Sequence, residues 1–185
     1  MGARVFIVHG WAGYSDHNWK GWLKRELEKQ NITVVAPAMP DTDNPTMDKW
    51  VNHLKEAVGK PDKDCYFVGH SLGCITILRY IESLNEGEKV GGAVLVAGFS
   101  DNIGFKELDT FFQTPIYWGE IKSHCGKFVA IHSDNDKQVP LKHSSIFKQN
   151  LNAHIIIEHN MHHFSGNDGI NELPVALKEL EKMMK

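Results

Sequence analysis

Short apolar runs alternate with longer amphipathic segments along most of the chain. Most of the short runs are rich in β-branched or aromatic residues, or are bounded by Gly, Asp or Pro, which is typical of buried strands. The predicted strands cover residues 4–8, 32–36, 66–68, 90–97, 128–132 and 154–158. The amphipathic segments predict helices near residues 19–29, 46–58, 72–84, 141–151 and 173–184. This alternation predicts an α/β fold, with a mostly parallel sheet of about six strands and helices on both faces.

Two of the predicted helices carry start signals in the sequence. We expect Asp43 or Asn44 to cap the second helix, because both residue types accept hydrogen bonds from first-turn N–H groups. Pro45 is then expected in the first turn, where its missing N–H has no consequence. Pro140 is expected to introduce the helix that begins near residue 141. These signals place helix starts more closely than periodicity does.

Residues 98–126 form the longest stretch without a clear strand. The stretch is too short for a separate domain, so we expect short helices or a small cap rather than a large cap domain. It is rich in aromatic side chains, which are interpreted either as ordinary core or, together with Phe164, as the lining of a small apolar acyl pocket.

Length and composition favour a single domain spanning residues 1–185, with 42% hydrophobic and 23% charged residues. The net charge of −3 and the lack of a Lys/Arg block argue against nucleic acid or an anionic membrane as main partner. No apolar run reaches the roughly 18 residues of a membrane span, and we expect no signal peptide. Cys65, Cys74 and Cys125 form no CxxC pair, so a reducing, cytoplasmic location is predicted.

A serine between two glycines lies where a predicted strand ends and a predicted helix begins. The segment is Gly69-His70-Ser71-Leu72-Gly73, which has the G-x-S-x-G pattern of a nucleophile elbow. Such a turn leaves little room for a Cβ at the glycine positions, and it aims the first helical N–H groups at whatever the serine attacks. We therefore predict that Ser71 is a catalytic nucleophile and that the N–H of Leu72 donates to the oxyanion.

A serine nucleophile needs a base, and the base needs an orienting carboxylate. After an elbow of this kind the expected chain order is Ser, then Asp or Glu, then His. Asp134 and Asp136 follow the fifth predicted strand, and His159, His162 and His163 follow the sixth. Both groups come in the expected order and at the carboxyl ends of strands, where reactive groups of a parallel sheet gather. The pattern of residues leaves the choice within each group open.

A metal site is the competing interpretation of the histidines. The chain has 11 of them, and residues 159–168 read HNMHHFSGND. Zinc sites need three or four ligands in fixed geometry, and the spacing His159-x-x-His162 lacks the helical HExxH pattern. We therefore predict neither a metal nor a cofactor. Cys74, one turn into the helix from Ser71, is interpreted as a packing residue rather than a nucleophile.

In combination, these segments resemble the α/β-hydrolase superfamily, and most of all the small serine hydrolases typified by YdeN and retinoblastoma-binding protein 9. The resemblance covers nearly the whole length. The matching segments are HGWAG at 9–13, NWKGWL at 18–23, GHSLG at 69–73, SDNDKQVP at 133–140 and HHF at 162–164. The resemblance implies an α/β-hydrolase-like three-layer sandwich.

The resemblance also selects among the candidate residues. It implies Asp136, three residues before the Val of Val-Pro, as the carboxylate, with Asp134 as second choice. It implies the His directly before Phe, His163, as the base, although this chain has His162 where relatives usually have glycine. The His-Gly-X turn after the first strand implies the N–H of Trp11 as the second oxyanion donor.

The resulting functional prediction is a carboxylesterase-like serine hydrolase that acts on a small ester, thioester or amide through an acyl-enzyme. His9 and His70 are expected to be structural neighbours of the site rather than bases. The alternative is a catalytically weak or inactive protein-binding module of the same fold. The retinoblastoma-pocket motif Leu-x-Cys-x-Glu is present at none of the three cysteines, so that partner is not predicted.

Overall fold

The computed structural model describes residues 2–185 and contains one six-stranded parallel sheet. The strands are β1 Arg4–Val8, β2 Thr33–Val35, β3 Cys65–His70, β4 Gly92–Val96, β5 Phe128–Ser133 and β6 His154–Glu158. Their order across the sheet is β2-β1-β3-β4-β5-β6, and all five neighbouring pairs are parallel. The predicted fold class and all six predicted strands are confirmed, with strand ends within two residues of the predicted ones.

Six α-helices and one 3₁₀-helix connect or flank these strands in the described part of the chain. The α-helices are α1 Asn18–Glu28, α2 Met47–Val58, α3 Leu72–Glu82, α4 Trp118–His124, α5 Lys142–Leu151 and α6 Pro174–Met184. The 3₁₀-helix covers Lys106–Phe112. The five helices predicted from periodicity are confirmed, while α4 and the 3₁₀-helix lie in the stretch where only short helices or a small cap were expected.

Two separate apolar clusters explain why the strands read as continuous hydrophobic runs. Alternate residues of each strand point to opposite faces of a sheet. In β1, Val5 and Ile7 pack against α1 and α6, while Phe6 and Val8 pack against the helices of the other face. The central strands β3 and β4 are buried along their whole length. Because both faces are covered, there is no polar side to produce an alternating pattern.

The strand order creates one position where loops diverge. From β1 the chain moves outward to β2 and then returns to the other side of β1 as β3. In open parallel sheets, ligands bind outside the carboxyl ends of the strands at such a switch point, because the loops there run in opposite directions. The loop after β1 and the turn after β3 therefore border the same crevice.

The start of α2 differs from the prediction. Its N-cap is Thr46, which has extended backbone angles, and not Asp43 or Asn44. Pro45 precedes the cap instead of lying in the first turn. The Thr46 side chain makes no capping hydrogen bond, and the N–H of Met47 donates to the hydroxyl of Thr110 at 3.1 Å. A tertiary contact from the 3₁₀-helix therefore replaces the local cap that the sequence suggested.

Residues 98–126 contain no large cap domain. The 3₁₀-helix buries Leu108 and Phe111, and α4 buries Ile121 against the same apolar cluster. An isolated parallel bridge between Val90 and Cys125 leads the chain into β5. The stretch therefore closes one side of the core and leaves the carboxyl ends of the central strands accessible.

Candidate active site

Ser71 lies at the tip of a strained turn between β3 and α3. Its backbone angles are φ 53° and ψ −118°, in a region that residues with a Cβ rarely adopt. The turn is held on both sides, because Ser71 N–H donates to the Val96 carbonyl at 2.9 Å and the Ser71 carbonyl accepts from Cys74 N–H at 2.9 Å. Strain of this kind persists only where the surrounding structure enforces it, and it is concentrated at functional sites.

The two glycines of the elbow allow this close packing. A Cβ added at Gly69 would lie 2.8 Å from the Cys74 nitrogen, and one at Gly73 would lie 2.2 Å from the Val8 carbonyl oxygen. The first glycine lets β3 turn sharply onto α3. The second lets the first turn of α3 lie directly on β1. These distances agree with the prediction that the turn leaves little room for a Cβ at either glycine.

Gly73→Ala is expected to destabilise the fold by about 3 kcal/mol or more, because the carbonyl at Val8 cannot move without disturbing β1. Gly119→Ala is the matched control, since this exposed α4 glycine has open space around its Cβ position. That variant should stabilise by about 1 kcal/mol through helix propensity. Urea unfolding of both variants measures the difference, and equal midpoints would contradict the packing at Gly73.

The structure brings the three predicted side chains together. The Ser71 Oγ lies 3.0 Å from the Nε2 of His163, and the Nδ1 of the same ring lies 2.8 Å from the Oδ2 of Asp136. These contacts join residues far apart in sequence, from the ends of β3, β5 and β6. Ser71 and His163 are both buried at the base of the crevice.

Asp136 is held in place by its own loop. Its Oδ1 accepts hydrogen bonds from the N–H groups of Gln138 at 2.8 Å and Val139 at 3.0 Å, and its side chain is only 2% exposed. Asp134 lies elsewhere, on the surface, with its Oδ2 2.6 Å from the Nδ1 of His159. Hydrogen bonds from the Asn160 backbone and from that ring lower the pKa of Asp134.

The loop after β6 carries His163 back across the sheet. β6 is three strands from β3, about 14 Å at the usual strand spacing. The Nε2 of His70 donates to the His163 carbonyl at 2.8 Å, and the Nε1 of Trp19 donates to the Phe164 carbonyl at 2.8 Å. The N–H of His163 donates to the Oδ2 of Asp168 at 3.2 Å. Burial, the largest cause, lowers the pKa of His70 well below its usual value, so the ring is neutral.

His162 points away from the serine. Its backbone has φ 49°, in the left-handed region that favours glycine. Its N–H donates to the Oδ1 of Asn135 at 2.8 Å, and its ring nitrogen Nδ1 lies 3.3 Å from the amide nitrogen of the same side chain. The side chain is exposed. The structure therefore joins His163, and not His162, to Ser71 and Asp136.

The loop after β1 comes close to the serine from the other side. A Cβ added at Gly10 would lie 3.1 Å from the Ser71 Cβ, so the two backbones are in near contact. Further along this loop the N–H of Ala12 donates to Thr42 and that of Gly13 to Gly10. The N–H groups of Trp11 and Leu72, by contrast, donate to no other described residue, and both residues line the crevice.

His9 is a structural residue beneath this loop. Its Nδ1 lies 2.7 Å from the Gly10 carbonyl oxygen, and its Nε2 accepts a hydrogen bond from the N–H of Met39 at 3.1 Å. One ring nitrogen donates and the other accepts, which requires the neutral form. Burial, the largest cause, lowers the pKa of His9, which also favours the neutral form. His9 and His70 both fix backbone carbonyls, and neither contacts the Ser71 hydroxyl.

The crevice has a volume of about 640 Å³ and opens over Ser71. Phe99, Ile103, Phe105 and Leu108 form an apolar wall. The other aromatic side chains proposed for an acyl pocket do not line it, and Phe164 is fully buried in the core on the opposite side of the sheet. Only part of the aromatic stretch therefore faces the crevice.

Several residues of the site were not singled out from the sequence. Asp168 accepts hydrogen bonds from the backbone and hydroxyl of Ser165 as well as from His163. The Ser165-x-x-Asp168 spacing is a signal for such a turn. Lys20 also lines the crevice. It lies three residues before the buried Leu23 on α1 and therefore on the apolar face of that helix. A charged residue on an apolar helix face is the sequence signal that could have identified Lys20.

Neither a metal cluster nor a membrane-crossing helix is found in the described chain. No group of three or more His, Cys, Asp or Glu side chains among residues 2–185 could hold a metal ion. No helix in this range is both long and apolar enough to span a membrane. Burial raises the pKa of the Cys74 thiol, and its Sγ lies 3.3 Å from the Val96 carbonyl, in agreement with a packing role.

The family profile for serine hydrolases matches residues 5–182. The chain belongs to the serine hydrolase family. Over 177 residues it is 30% identical to the hydrolase YdeN of Bacillus subtilis (strain 168), covering 95% of this chain and 93% of that protein. Over 182 residues it is 25% identical to the serine hydrolase RBBP9 of Rattus norvegicus, covering 96% and 95%. The family resemblance predicted from the motifs is confirmed.

Solved structures show the same fold for this serine hydrolase. The crystal structure of the ydeN gene product from B. subtilis superposes with a TM-score of 0.93 at 28% identity, covering 98% of both chains. A carboxylesterase structure from Nitrososphaera gargenis has a TM-score of 0.69 at 12% identity, covering 99% of this chain and 91% of that one. The second likeness is one of fold alone. The α/β-hydrolase architecture is confirmed.

One buried histidine near the site gives this hydrolase a testable acid sensitivity. Burial, with a smaller contribution from His143, lowers the pKa of His132 to about 4. A histidine whose folded-state pKa lies below its unfolded value of about 6.5 binds a proton more readily in the unfolded chain, so stability falls as the pH drops. The loss of stability caused by His132 is absent above about pH 6.5, grows as the pH falls, and stops growing near pH 4.

His132→Leu should therefore flatten the pH dependence of unfolding. Between pH 7.5 and pH 5 the free energy of unfolding of the variant should fall by about 2 kcal/mol less than that of wild type. His154→Gln, at an exposed position of β6, is the control and should follow wild type. Parallel curves for wild type and His132→Leu would show that His132 titrates normally.

Proposed function

We propose that this serine hydrolase cleaves a small ester, thioester or amide through an acyl-enzyme, with Ser71, His163 and Asp136 as its catalytic residues. The observation that carries the proposal is the continuous contact from Ser71 Oγ through the ring of His163 to Asp136. A carboxylate that accepts from Nδ1–H leaves Nε2 without a proton, so Nε2 can accept the proton of the serine hydroxyl.

In the first half of the reaction, His163 Nε2 takes the Ser71 proton as Oγ bonds to the substrate carbonyl carbon. The carbonyl π electrons move to the oxygen, which becomes an oxyanion. Collapse of this intermediate breaks the bond to the leaving group, which receives the proton from His163 and departs as an alcohol, thiol or amine. The acyl group remains bound to Ser71 as an ester.

In the second half, water repeats these steps. It gives a proton to His163 and attacks the acyl carbon, and the resulting intermediate expels Ser71, which regains its proton. The product is a carboxylic acid. Asp136 orients the ring and stabilises its cationic form in both halves. The only co-reactant is water.

The N–H groups of Leu72 and Trp11 are proposed to hold the oxyanion. Two observations support them: they border the crevice next to Ser71, and they make no other hydrogen bond among the described residues. Leu72 also begins α3, whose dipole favours negative charge at that end. Donors that are already oriented cost no reorganisation when the charge develops, which makes this term a large one in acyl transfer.

The size of the crevice supports a small substrate. Its volume of about 640 Å³ lies in the range of small-molecule sites. The carboxylesterase of the same fold described above is a further reason to propose ester hydrolysis first, although that relationship rests on fold alone.

Fluorophosphonate labelling combined with an ester assay tests the proposal. Attack by Ser71 would form an Oγ–P bond and release fluoride, and the tryptic peptide 64–79 that carries the label contains one serine. We expect the label on that peptide, together with turnover of p-nitrophenyl acetate. An unlabelled and inactive protein would favour the non-catalytic binding module instead.

A further inference from the structure

Lys20 is a buried cation in the wall of the crevice. It lies in the first turn of α1, and the residue is only 5% exposed. Its Nζ forms no hydrogen bond or ion pair with any residue that the structure describes, and burial alone lowers the pKa of Lys20 to about 8. The centroid of the Trp19 ring lies 5.4 Å from Nζ. The charge of Lys20 is also a smaller cause, after burial, of the lowered pKa of His9 and of His70.

The ammonium group of Lys20 is not fully enclosed and reaches the crevice, where it has no counter-charge among the described residues. Lysine is almost never buried without a partner, because removing an ammonium group from water is costly unless a counter-charge replaces the water. The next lysine of the same helix behaves in the ordinary way: Lys24 is partly exposed, with Nζ 3.9 Å from Glu28. The difference indicates that the partner of Lys20 arrives with a ligand.

Among the described residues, the lining of the crevice contains one lysine, Lys20, and no Arg, Asp or Glu. The N-terminus of α1 lies at the same place, since its N-cap is His17 and its next residue, Asn18, also lines the crevice. The first turn contains no acidic residue and His17 makes no capping hydrogen bond, so the first N–H groups of α1 have no side-chain cap. The nearest acidic group is Asp16, just before the cap, whose Oδ1 lies 3.8 Å from the Nε2 of His17.

We propose that the substrate carries a carboxylate, which pairs with Lys20 beside the first turn of α1 while its ester, thioester or amide carbonyl lies at Ser71. This proposal rests on the proposed hydrolase function and narrows its substrate class. One buried ammonium and one helix N-terminus match a single negative charge. The apolar wall on the other side of the crevice contacts the uncharged part of the substrate.

Matched ester pairs test this on the wild-type protein. In one set, p-nitrophenyl monoesters of adipic and suberic acid are compared with the same esters bearing a terminal amide, so that the charge is in the acyl group. In the other, 4-acetoxybenzoate is compared with 4-acetoxybenzamide, so that the charge is in the leaving group. We expect kcat/KM, corrected for spontaneous hydrolysis, to favour the carboxylate about 10- to 100-fold in at least one pair.

Lys20→Met then assigns the preference to the lysine. Methionine has a similar length and fills the same apolar stem position without the charge, and we expect the carboxylate-to-amide ratio to fall towards one. Lys24→Met is the matched control on the same helix and should retain the wild-type ratio. An unchanged ratio in Lys20→Met would overturn the assignment. Should that variant not fold, the wild-type ratios decide alone.

The outcomes separate the two proposals. Turnover of both members of every pair without preference for the carboxylate would overturn the role of Lys20 and leave the hydrolase function standing. Absence of turnover with all the esters, together with absence of fluorophosphonate labelling, would overturn the hydrolase function and with it the carboxylate assignment. A preference for the amide would also contradict the role of Lys20.

Discussion

Ser71→Ala is expected to lower kcat for p-nitrophenyl acetate by about four to six orders of magnitude and to abolish fluorophosphonate labelling. In the proposed mechanism, removal of Oγ leaves His163 without a nucleophile to activate, since no other hydroxyl of the described residues contacts its Nε2. The residual rate would come from the oxyanion donors and from substrate binding alone. Measurement of kcat at saturating ester gives the loss of turnover, and intact-mass spectrometry gives the loss of labelling.

A serine of equal burial provides the control. Ser144, in α5, is buried to nearly the same extent as Ser71, and its hydroxyl donates to the Leu141 carbonyl at 2.7 Å. Ser144→Ala should lose about 1 kcal/mol of stability and retain activity. If Ser71→Ala and Ser144→Ala both retain turnover, the nucleophile lies elsewhere or the activity belongs to a contaminant.

The same elbow explains why Ser71→Ala is expected to lose activity without a change in stability. Ser71 has φ 53°, which costs free energy for any residue with a Cβ. Alanine also has a Cβ, so the Ser71→Ala variant has the same unfavourable backbone conformation, and its unfolding temperature should stay close to that of wild type. The loss of activity in that variant can therefore be read as chemistry and not as unfolding.

Most of the architecture was predictable because the strands are buried on both faces. Residues 5–8 of β1 and 155–157 of β6 are uninterrupted apolar runs, and the predicted bounds of both strands coincide with the observed ones. Most of the helices were predictable for a related reason, since an apolar stripe of each packs into the core, while α3 is buried on all sides. Pattern alone identifies such elements because burial is what produced the pattern.

What could not be predicted depends on contacts between distant residues. The N–H of Met47 is satisfied by Thr110, 63 positions away, so no local signal at Asp43 or Asn44 could have located the cap. The 3₁₀-helix and α4 are short, and they are stabilised by the core beneath them rather than by their own periodicity.

The candidate site divides in the same way. The elbow is local, so Gly69, Ser71 and Gly73 could be identified from spacing. The choice between His162 and His163 depends on how a loop crosses three strands, and that path is set by His70 and by other contacts of the loop. Residue types alone could not decide it, whereas the resemblance to a family could.

Asp136→Asn should lower kcat by about four orders of magnitude, while Asp134→Asn should change it by less than about tenfold. The two carboxyl groups are two residues apart, yet they face different histidines. Asp136 Oδ2 lies 2.8 Å from the Nδ1 of His163, and its carboxylate is nearly inaccessible to water. An amide there can present N–H to Nδ1, which would favour the ring tautomer that carries its proton on Nε2 and cannot accept the proton of Ser71.

Asp134→Asn is the matched control for that change, because the same chemical substitution is made in the same loop. Asp134 contacts His159, which is exposed and distant from the serine, so loss of its charge should leave the His163 tautomer unaffected. Pre-steady-state measurement of p-nitrophenol release separates acylation from later steps, and both rates should fall in Asp136→Asn because one histidine serves both. Equal losses in the two variants would mean that the loop as a whole, and not the contact between Asp136 and His163, supports catalysis.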